Sequence, residues 1–165
     1  MADVFKGSEW KDAQFGKAPP WGNQTGRIYT LETDSSGVLR GGNKTTALAN
    51  GDVVVAGRLS AGTVIWPNVE GGITDAGTAG TTISCGFRYT DGVDDADVPQ
   101  KDDYFIQPVS TAATSKLTPS SDVYYPVKLP KDAFVTFTVG GADHASAFRM
   151  DAIIRMRVDG RDEFK

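Results

Sequence analysis

Residues 82–89 read Thr-Ile-Ser-Cys-Gly-Phe-Arg-Tyr, and every second side chain in this run is apolar. Successive side chains of a β-strand point to opposite faces, so a period of two predicts a strand with one face in a core. Three later segments repeat the alternation between turn signals, and they are 123–129, 133–139 and 152–158. A series of half-buried strands predicts antiparallel sheets that share one core.

From residue 27 onward the sequence predicts eight strands separated by residues that favour turns. The predicted strands are 27–31, 52–59, 63–69, 81–89, 103–109, 122–129, 133–139 and 151–158. Eight short strands over this length are typical of an all-β fold, an antiparallel two-sheet sandwich of the jelly-roll type. Pro126 lies within one predicted strand and indicates an edge or a bulge. The glycine-rich segment 71–80 is predicted to be a flexible connection.

Composition narrows the possible functions. The 165 residues carry a formal net charge of −4, which argues against nucleic acid as a partner because phosphate binding needs a basic face. No apolar run approaches the length that a membrane span needs, and the first residues do not resemble a secretory signal. Cys85 is the only cysteine, so no internal disulfide can form, and its place on the apolar face predicts a small buried side chain.

The first 25 residues follow neither strand nor helix periodicity, and we predict that they form an extended arm preceding a sandwich domain at 26–165. Four large aromatic residues lie in this arm, and they are Phe5, Trp10, Phe15 and Trp21. In one interpretation these side chains contact a neighbouring subunit or another partner, since aromatic anchors are common at interfaces. In the other, the arm folds back over its own sandwich and covers an apolar patch.

Six aspartates lie between Asp91 and Asp103, and they are the strongest candidates for a metal site. Clustered carboxylates suit a hard cation such as calcium, although the spacing differs from that of an EF-hand loop. The sequence therefore predicts a solvated loop and no metal site. Should a cation bind, the candidate ligands are Asp91, Asp94, Asp95 and Asp97.

The sequence predicts no catalytic residues and no cofactor. His144 is the only histidine, and it lies beside Asp143 and near Ser146, whereas the members of a hydrolase triad are usually distant in the chain. One histidine and one cysteine cannot supply a tetrahedral zinc site. A pair of aspartates from 91–103 acting on a glycosidic bond stays open as an alternative, because two carboxylates can meet across any cleft.

An ordered series of short patterns across about residues 48–158 resembles a family of small virion proteins of tailed bacteriophages, the capsid decoration or cement proteins. No single pattern is diagnostic, and the resemblance rests on their order. The patterns are Leu59–Val64 (LSAGTV), Thr78–Tyr89 (TAGTTISCGFRY), Asp91–Asp95 (DGVDD), Val98–Gln100, Asp103–Phe105, Pro126–Ala133 (PVKLPKDA) and Gly140–Ala142.

The resemblance implies a β-sandwich of the jelly-roll type that binds the outside of a phage head and reinforces contacts between subunits of the major capsid protein. It implies two partners, the major capsid protein and further copies of the chain itself, as a homodimer or homotrimer. It also implies no catalytic residues, synthesis in the host cytoplasm and a final place on the capsid exterior. The arm at 1–25 lies outside the resemblance, so its contact stays open.

A receptor- or glycan-binding head-fibre domain of the same virion is the alternative function. Sugar-binding surfaces often present several aromatic rings, although aromatic residues on sandwich strands usually lie in the core. The alternative therefore requires the candidate rings to be exposed together on one rim. Those rings are Tyr29, Trp66, Tyr89, Tyr104 and Tyr124.

Overall fold

The computed structural model describes residues 4–5, 24–120 and 126–158, and every regular element in these ranges is a β-strand. The predicted all-β class is therefore confirmed. No helix in the described ranges could cross a membrane. The strands in chain order are β1 Val4–Phe5, β2 Gln24–Thr33, β3 Val53–Leu59, β4 Thr63–Asp75, β5 Thr81–Tyr89, β6 Lys101–Ser110, β7 Ser115–Lys116, β8 Val127–Lys128, β9 Ala133–Gly141 and β10 Phe148–Val158.

The strands form two sheets. The first sheet has the order β1-β3-β9-β5-β6, and the second has the order β2-β10-β4-β7, with β8 also paired to β4. All neighbours are antiparallel except β1 and β3, which are parallel. Strands β2 and β10 pair from Gln24 with Arg157 to Thr33 with Phe148. Because the earliest and latest long strands are neighbours, the sandwich has the jelly-roll arrangement that the sequence predicts.

The core lies between the two sheets and is filled by the alternating apolar side chains. The predicted inward positions are buried in the described strands, and they are Ile83, Cys85, Phe87, Tyr89, Val135, Phe137, Val139, Ile154 and Met156. Burial of each large apolar side chain stabilises the fold by about 1.5–3 kcal/mol. Cys85 is fully buried, and desolvation raises the pKa of its thiol well above the ordinary value. The thiol is therefore an apolar filler, as predicted.

The strand predicted at 122–129 is shorter than expected in its described part, residues 126–129. Only Val127–Lys128 forms a ladder, with Val64 and Ile65 of β4. Pro126 lies outside the ladder, and Pro130 follows soon after it. Proline has no backbone N–H to donate, so two prolines this close leave room for only a short pairing. Residues 121–125 lie outside the described ranges.

The prediction that 71–80 forms a flexible connection is wrong for its first half. Residues 71–75 continue β4 and pair with β10 and β7. Gly71 has a φ of +142°, and a Cβ atom there would lie 2.0 Å from the carbonyl oxygen of Asp151. The glycine is therefore required by a close approach of two strands, which a sequence pattern does not distinguish from a loop.

The N-terminal arm is described only at its two ends. Val4 and Phe5 form β1, in register with Val54 and Val55 of β3, and β2 begins at Gln24. Trp10, Phe15 and Trp21 lie outside the described residues. The predicted division of the chain at residue 25 therefore stays a prediction.

Candidate functional site

The acidic loop between β5 and β6 uses its carboxylates to hold its own backbone. Asp94 Oδ1 accepts hydrogen bonds from the backbone N–H groups of Asp95, at 2.9 Å, and Gln100, at 2.7 Å. Asp95 Oδ1 accepts bonds from the N–H groups of Asp97 and Val98, both at 3.1 Å. Short aspartate side chains commonly close turns in this way, so the clustering has a local structural cause.

Asp91 follows the same pattern and adds an ion pair. Its Oδ1 accepts a hydrogen bond from Val93 N–H at 2.9 Å, and its Oδ2 lies 3.2 Å from Lys131 Nζ. The bond from Val93, reinforced by Lys131, lowers the pKa of the Asp91 carboxyl below its ordinary value. Within the described ranges no three His, Cys, Asp or Glu side chains are placed to hold a metal ion together. Calcium binding by the four candidate aspartates stays a hypothesis.

The last two aspartates of the segment face cations rather than each other. Arg88 donates to both carboxylate oxygens of Asp102, from Nε at 2.7 Å and from Nη2 at 2.8 Å. Asp103 lies 3.4 Å from Lys101 Nζ. Glycoside hydrolysis needs one carboxyl that holds a proton and another that is ionised across a cleft. Neither aspartate is in such a setting, so the geometry gives the glycosidase alternative no support.

The neighbourhood of His144 does not form a triad. His144 is 1% exposed, and neither ring nitrogen has a hydrogen bond of normal geometry to a residue that the structure describes. Asp143 accepts a bond from a backbone amide at 2.7 Å, and Ser146 Oγ lies 3.0 Å from Thr78 Oγ1. Burial lowers the pKa of His144, and the backbone of Ser146 opposes part of that shift. The histidine is therefore held neutral in an apolar setting.

The aromatic residues that would form a sugar platform are not exposed together. Tyr29 and Tyr89 are 0% and 3% exposed, and both belong to the core. Tyr104 and Trp66 are half-buried, and Tyr124 lies outside the described residues. The requirement of the glycan-binding alternative is therefore not met by the described rings.

A groove that the sequence did not predict lies on the outward face of the first sheet. It has a volume of about 590 Å³, and we call it the outer groove. Val53 and Val55 of β3 line it, are only 2% exposed, and do not belong to the core cluster. The remaining lining residues are Arg88, Tyr89, Thr90, Gly92, Gln100, Lys101, Asp102, Phe134 and Thr136.

The sequence does contain a signal for the outer groove. Residues 53–56 read Val-Val-Val-Ala, a continuous apolar run where a solvent-facing strand would alternate. Continuous runs are typical of strands that are covered on both faces. The uninterrupted run therefore indicates that the outward face of β3 is also buried.

Polar groups border this apolar floor. The bidentate Arg88–Asp102 pair forms one side of the outer groove. Thr136 is 1% exposed, and its hydroxyl has no hydrogen-bond partner among the described residues. Tyr89 donates its hydroxyl to the carbonyl oxygen of Val98 at 2.5 Å. Burial, followed by the charges of nearby aspartates, raises the pKa of Tyr89 to about 12, so this donor stays protonated at neutral pH.

The outward face of the second sheet is built differently. Ile28 is 58% exposed there, beside Ile153 on the neighbouring strand. Polar and charged pairs surround these two residues, such as Thr30 Oγ1, which donates to Asp151 Oδ1 at 2.5 Å. Arg155 of β10 is exposed and pairs with Glu70 of β4 at 2.5 Å. This face meets solvent.

Known proteins are similar to this chain in structure and not in sequence. No protein-family model and no curated protein sequence matches this chain. A chain from the capsid of Ralstonia phage GP4 is similar in structure, with a TM-score of 0.54 and 16% identity, over 94% of this chain and 99% of that chain. A chain from the cyanophage Pam1 capsid asymmetric unit has a TM-score of 0.50 and 12% identity, over 89% of this chain and 96% of that one. The shared property is the fold.

Proposed function

We propose that this chain is a structural virion protein without catalytic activity. It binds the outer surface of a phage capsid and reinforces contacts between subunits of the major capsid protein. The observation that carries the proposal is the likeness, over nearly the whole of both chains, to a chain from the capsid of Ralstonia phage GP4. The ordered sequence patterns across residues 48–158 support the same function independently. A bracing protein needs several modest contacts at once, because avidity multiplies their effect.

The proposed partners are the major capsid protein and further copies of the chain, as a homodimer or homotrimer on the capsid exterior. The net charge of −4 favours a subunit that stays soluble in the host cytoplasm before assembly. The proposed contact residues in the assembled particle are Phe5, Trp10, Phe15 and Trp21. Aromatic side chains bury a large area at a small cost in conformational entropy, which suits them to this role.

The test is cosedimentation of the purified protein with heads of the parent phage that lack it, followed by negative-stain imaging of the pellet. We expect saturable binding at regular positions of the capsid lattice. A folded protein that does not bind these heads would contradict the proposal. A sugar array would then test the glycan-binding alternative.

A matched pair of variants tests the arm. Replacing Trp10, Phe15 and Trp21 together with alanine is expected to weaken binding to heads by about 10⁴-fold, because three anchors of about 2 kcal/mol each contribute about 6 kcal/mol. The control is Ile28→Ala, which removes an exposed apolar side chain from a surface outside the proposed contact. Equal affinities of the two variants for heads would remove the arm from the contact and leave the decoration function itself standing.

A further inference from the structure

The outward face of β3 carries apolar side chains that are buried although they do not belong to the core between the sheets. Val53 and Val55 are 2% exposed and lie outside the core cluster, whereas Val54 and Ala56, which alternate with them, belong to it. On β9, the adjacent strand, Thr136 alternates with the core residues Val135 and Phe137 and is only 1% exposed. Apolar side chains that are this well buried need a cover on their own side of the sheet.

The chain itself leads to this face. Strand β1 pairs with β3 so that Phe5 lies beside Val55, one of the two valines on the floor of the outer groove. Residues 6–23 then connect this point to Gln24, the start of β2. Eighteen residues reach at most about 60 Å, whereas a sheet of five strands is about 20 Å wide. The segment is long enough to cross the sheet and return.

The composition of this segment complements the outer groove. Residues 6–23 carry three large aromatic side chains, and the floor offers Val53, Val55 and Phe134. An indole N–H or a backbone N–H of the segment would give the Thr136 hydroxyl the partner that the described residues do not supply.

We propose that residues 6–23 lie in the outer groove of the same chain in the free subunit and cover Val53 and Val55. A tethered segment has an effective concentration in about the millimolar range, so modest contacts are enough to keep it there. This inference concerns the subunit before assembly. It does not depend on the proposed function, because a chain that never binds a capsid would still need its outer groove covered.

Site-specific photocrosslinking of the full chain tests the proposal. Phe134 is replaced with p-benzoylphenylalanine, which keeps an aromatic ring on the floor of the outer groove. Thr90→p-benzoylphenylalanine provides a second position on the rim, where the exposed side chain can change without loss of core packing. The control is the same replacement at Thr74, an exposed residue of the second sheet. After irradiation and trypsin digestion, mass spectrometry locates the crosslinks.

At both groove positions we expect crosslinks to residues 6–23 within a single chain, at a yield about tenfold above that of the control, as the high effective concentration requires. Crosslinks to residues 6–23 of a second copy would overturn the proposal and indicate an exchange of arms between subunits. Yields at the groove positions no higher than at the control would overturn it as well. Binding to phage heads does not enter this result, so it separates the inference from the proposed function.

Discussion

The two outward faces of the sandwich are formed in the same way but differ in their exposure to solvent. Both consist of the side chains that alternate with the core, yet Ile28 on the second sheet is 58% exposed and Val55 on the first is 2% exposed. On the second sheet, ion pairs and hydrogen bonds surround the apolar residues, as on an ordinary solvated surface. A covered sheet face is therefore recognised by apolar side chains that are buried outside the core, whereas a solvated face leaves them exposed.

Removing an aromatic ring from the core should change the free energy of unfolding more than any change on an outward face. Phe137→Ala removes a fully buried ring between the sheets and is expected to lower the free energy of unfolding by about 3–5 kcal/mol. Phe134→Ala, three residues earlier on the outward face of β9, is the matched control and should cost clearly less, because Phe134 is only half-buried. Urea denaturation measures both. Equal losses would mean that the outward face is packed as tightly as the core.

The next prediction tests the comparison of the faces directly. Val55→Ala should lower the free energy of unfolding by about 2 kcal/mol, because removing methyl groups from a side chain that is 2% exposed leaves a cavity. Ile28→Ala should change it by less than about 0.5 kcal/mol, as is usual for exposed positions. If urea denaturation gives the same value for both variants, the two faces do not differ in the way we describe.

A smaller effect on stability is expected from His144, which lies in the loop between β9 and β10. Burial lowers the pKa of His144, so below its ordinary value of 6.5 the unfolded chain takes up a proton that the folded chain does not. The free energy of unfolding should therefore fall as the pH decreases from 6.5, by at most about 1.4 kcal/mol per pH unit, until the folded-state pKa is reached. Above pH 6.5 this contribution is fully present.

Chemical denaturation at intervals between pH 7 and pH 5 measures this dependence. His144 is the only histidine, so its replacement removes the one side chain that ordinarily titrates in the upper part of this interval. His144→Gln should give a flatter profile than the natural chain. Identical profiles would show that the buried ring is not the source of the acid sensitivity.

The smallest effects concern the charged pairs of the two faces. Double-mutant cycles should give about 0.5–1 kcal/mol for the bidentate Arg88–Asp102 pair and less than about 0.5 kcal/mol for the exposed Arg155–Glu70 pair. Both values should decrease in about 1 M salt, since both pairs are accessible to solvent. A larger coupling energy for Arg155–Glu70 would contradict the view that the second sheet presents a plain solvated face.

The sequence predicts the parts of this fold in which side-chain periodicity and burial agree. Residues 81–89 and 133–139 alternate cleanly, and both lie in strands with the expected faces in the core. The strand predicted at 122–129 is shorter in its described part, at Val127–Lys128, because a period of two does not show that Pro126 and Pro130 limit the length of a ladder. The loop predicted at 71–80 fails because Gly71 is required by a contact with β10, which is distant in the chain.

The candidate site could be predicted less well than the fold. Six aspartates in 91–103 suggest a site by their number, but five of them direct a carboxylate oxygen to a nearby backbone amide or cation. The outer groove depends on β3, β9, β5 and β6 meeting side by side, and strand order is not encoded in any local pattern. Only the unbroken apolar run at 53–56 indicates it in advance.

The pairing of β2 with β10 has a consequence for how the protein is made. Residues 24–33 hydrogen-bond to residues 148–158, so the ribosome must synthesise nearly the whole chain before the second sheet can close. Until then, β2 lacks β10, its neighbour in the described sheet, and its apolar side chains lack their final partners. Folding of such a topology is slow, because distant segments must meet before any contact rewards them. Aggregation is therefore most favoured in the interval before residues 148–158 are available to pair with β2.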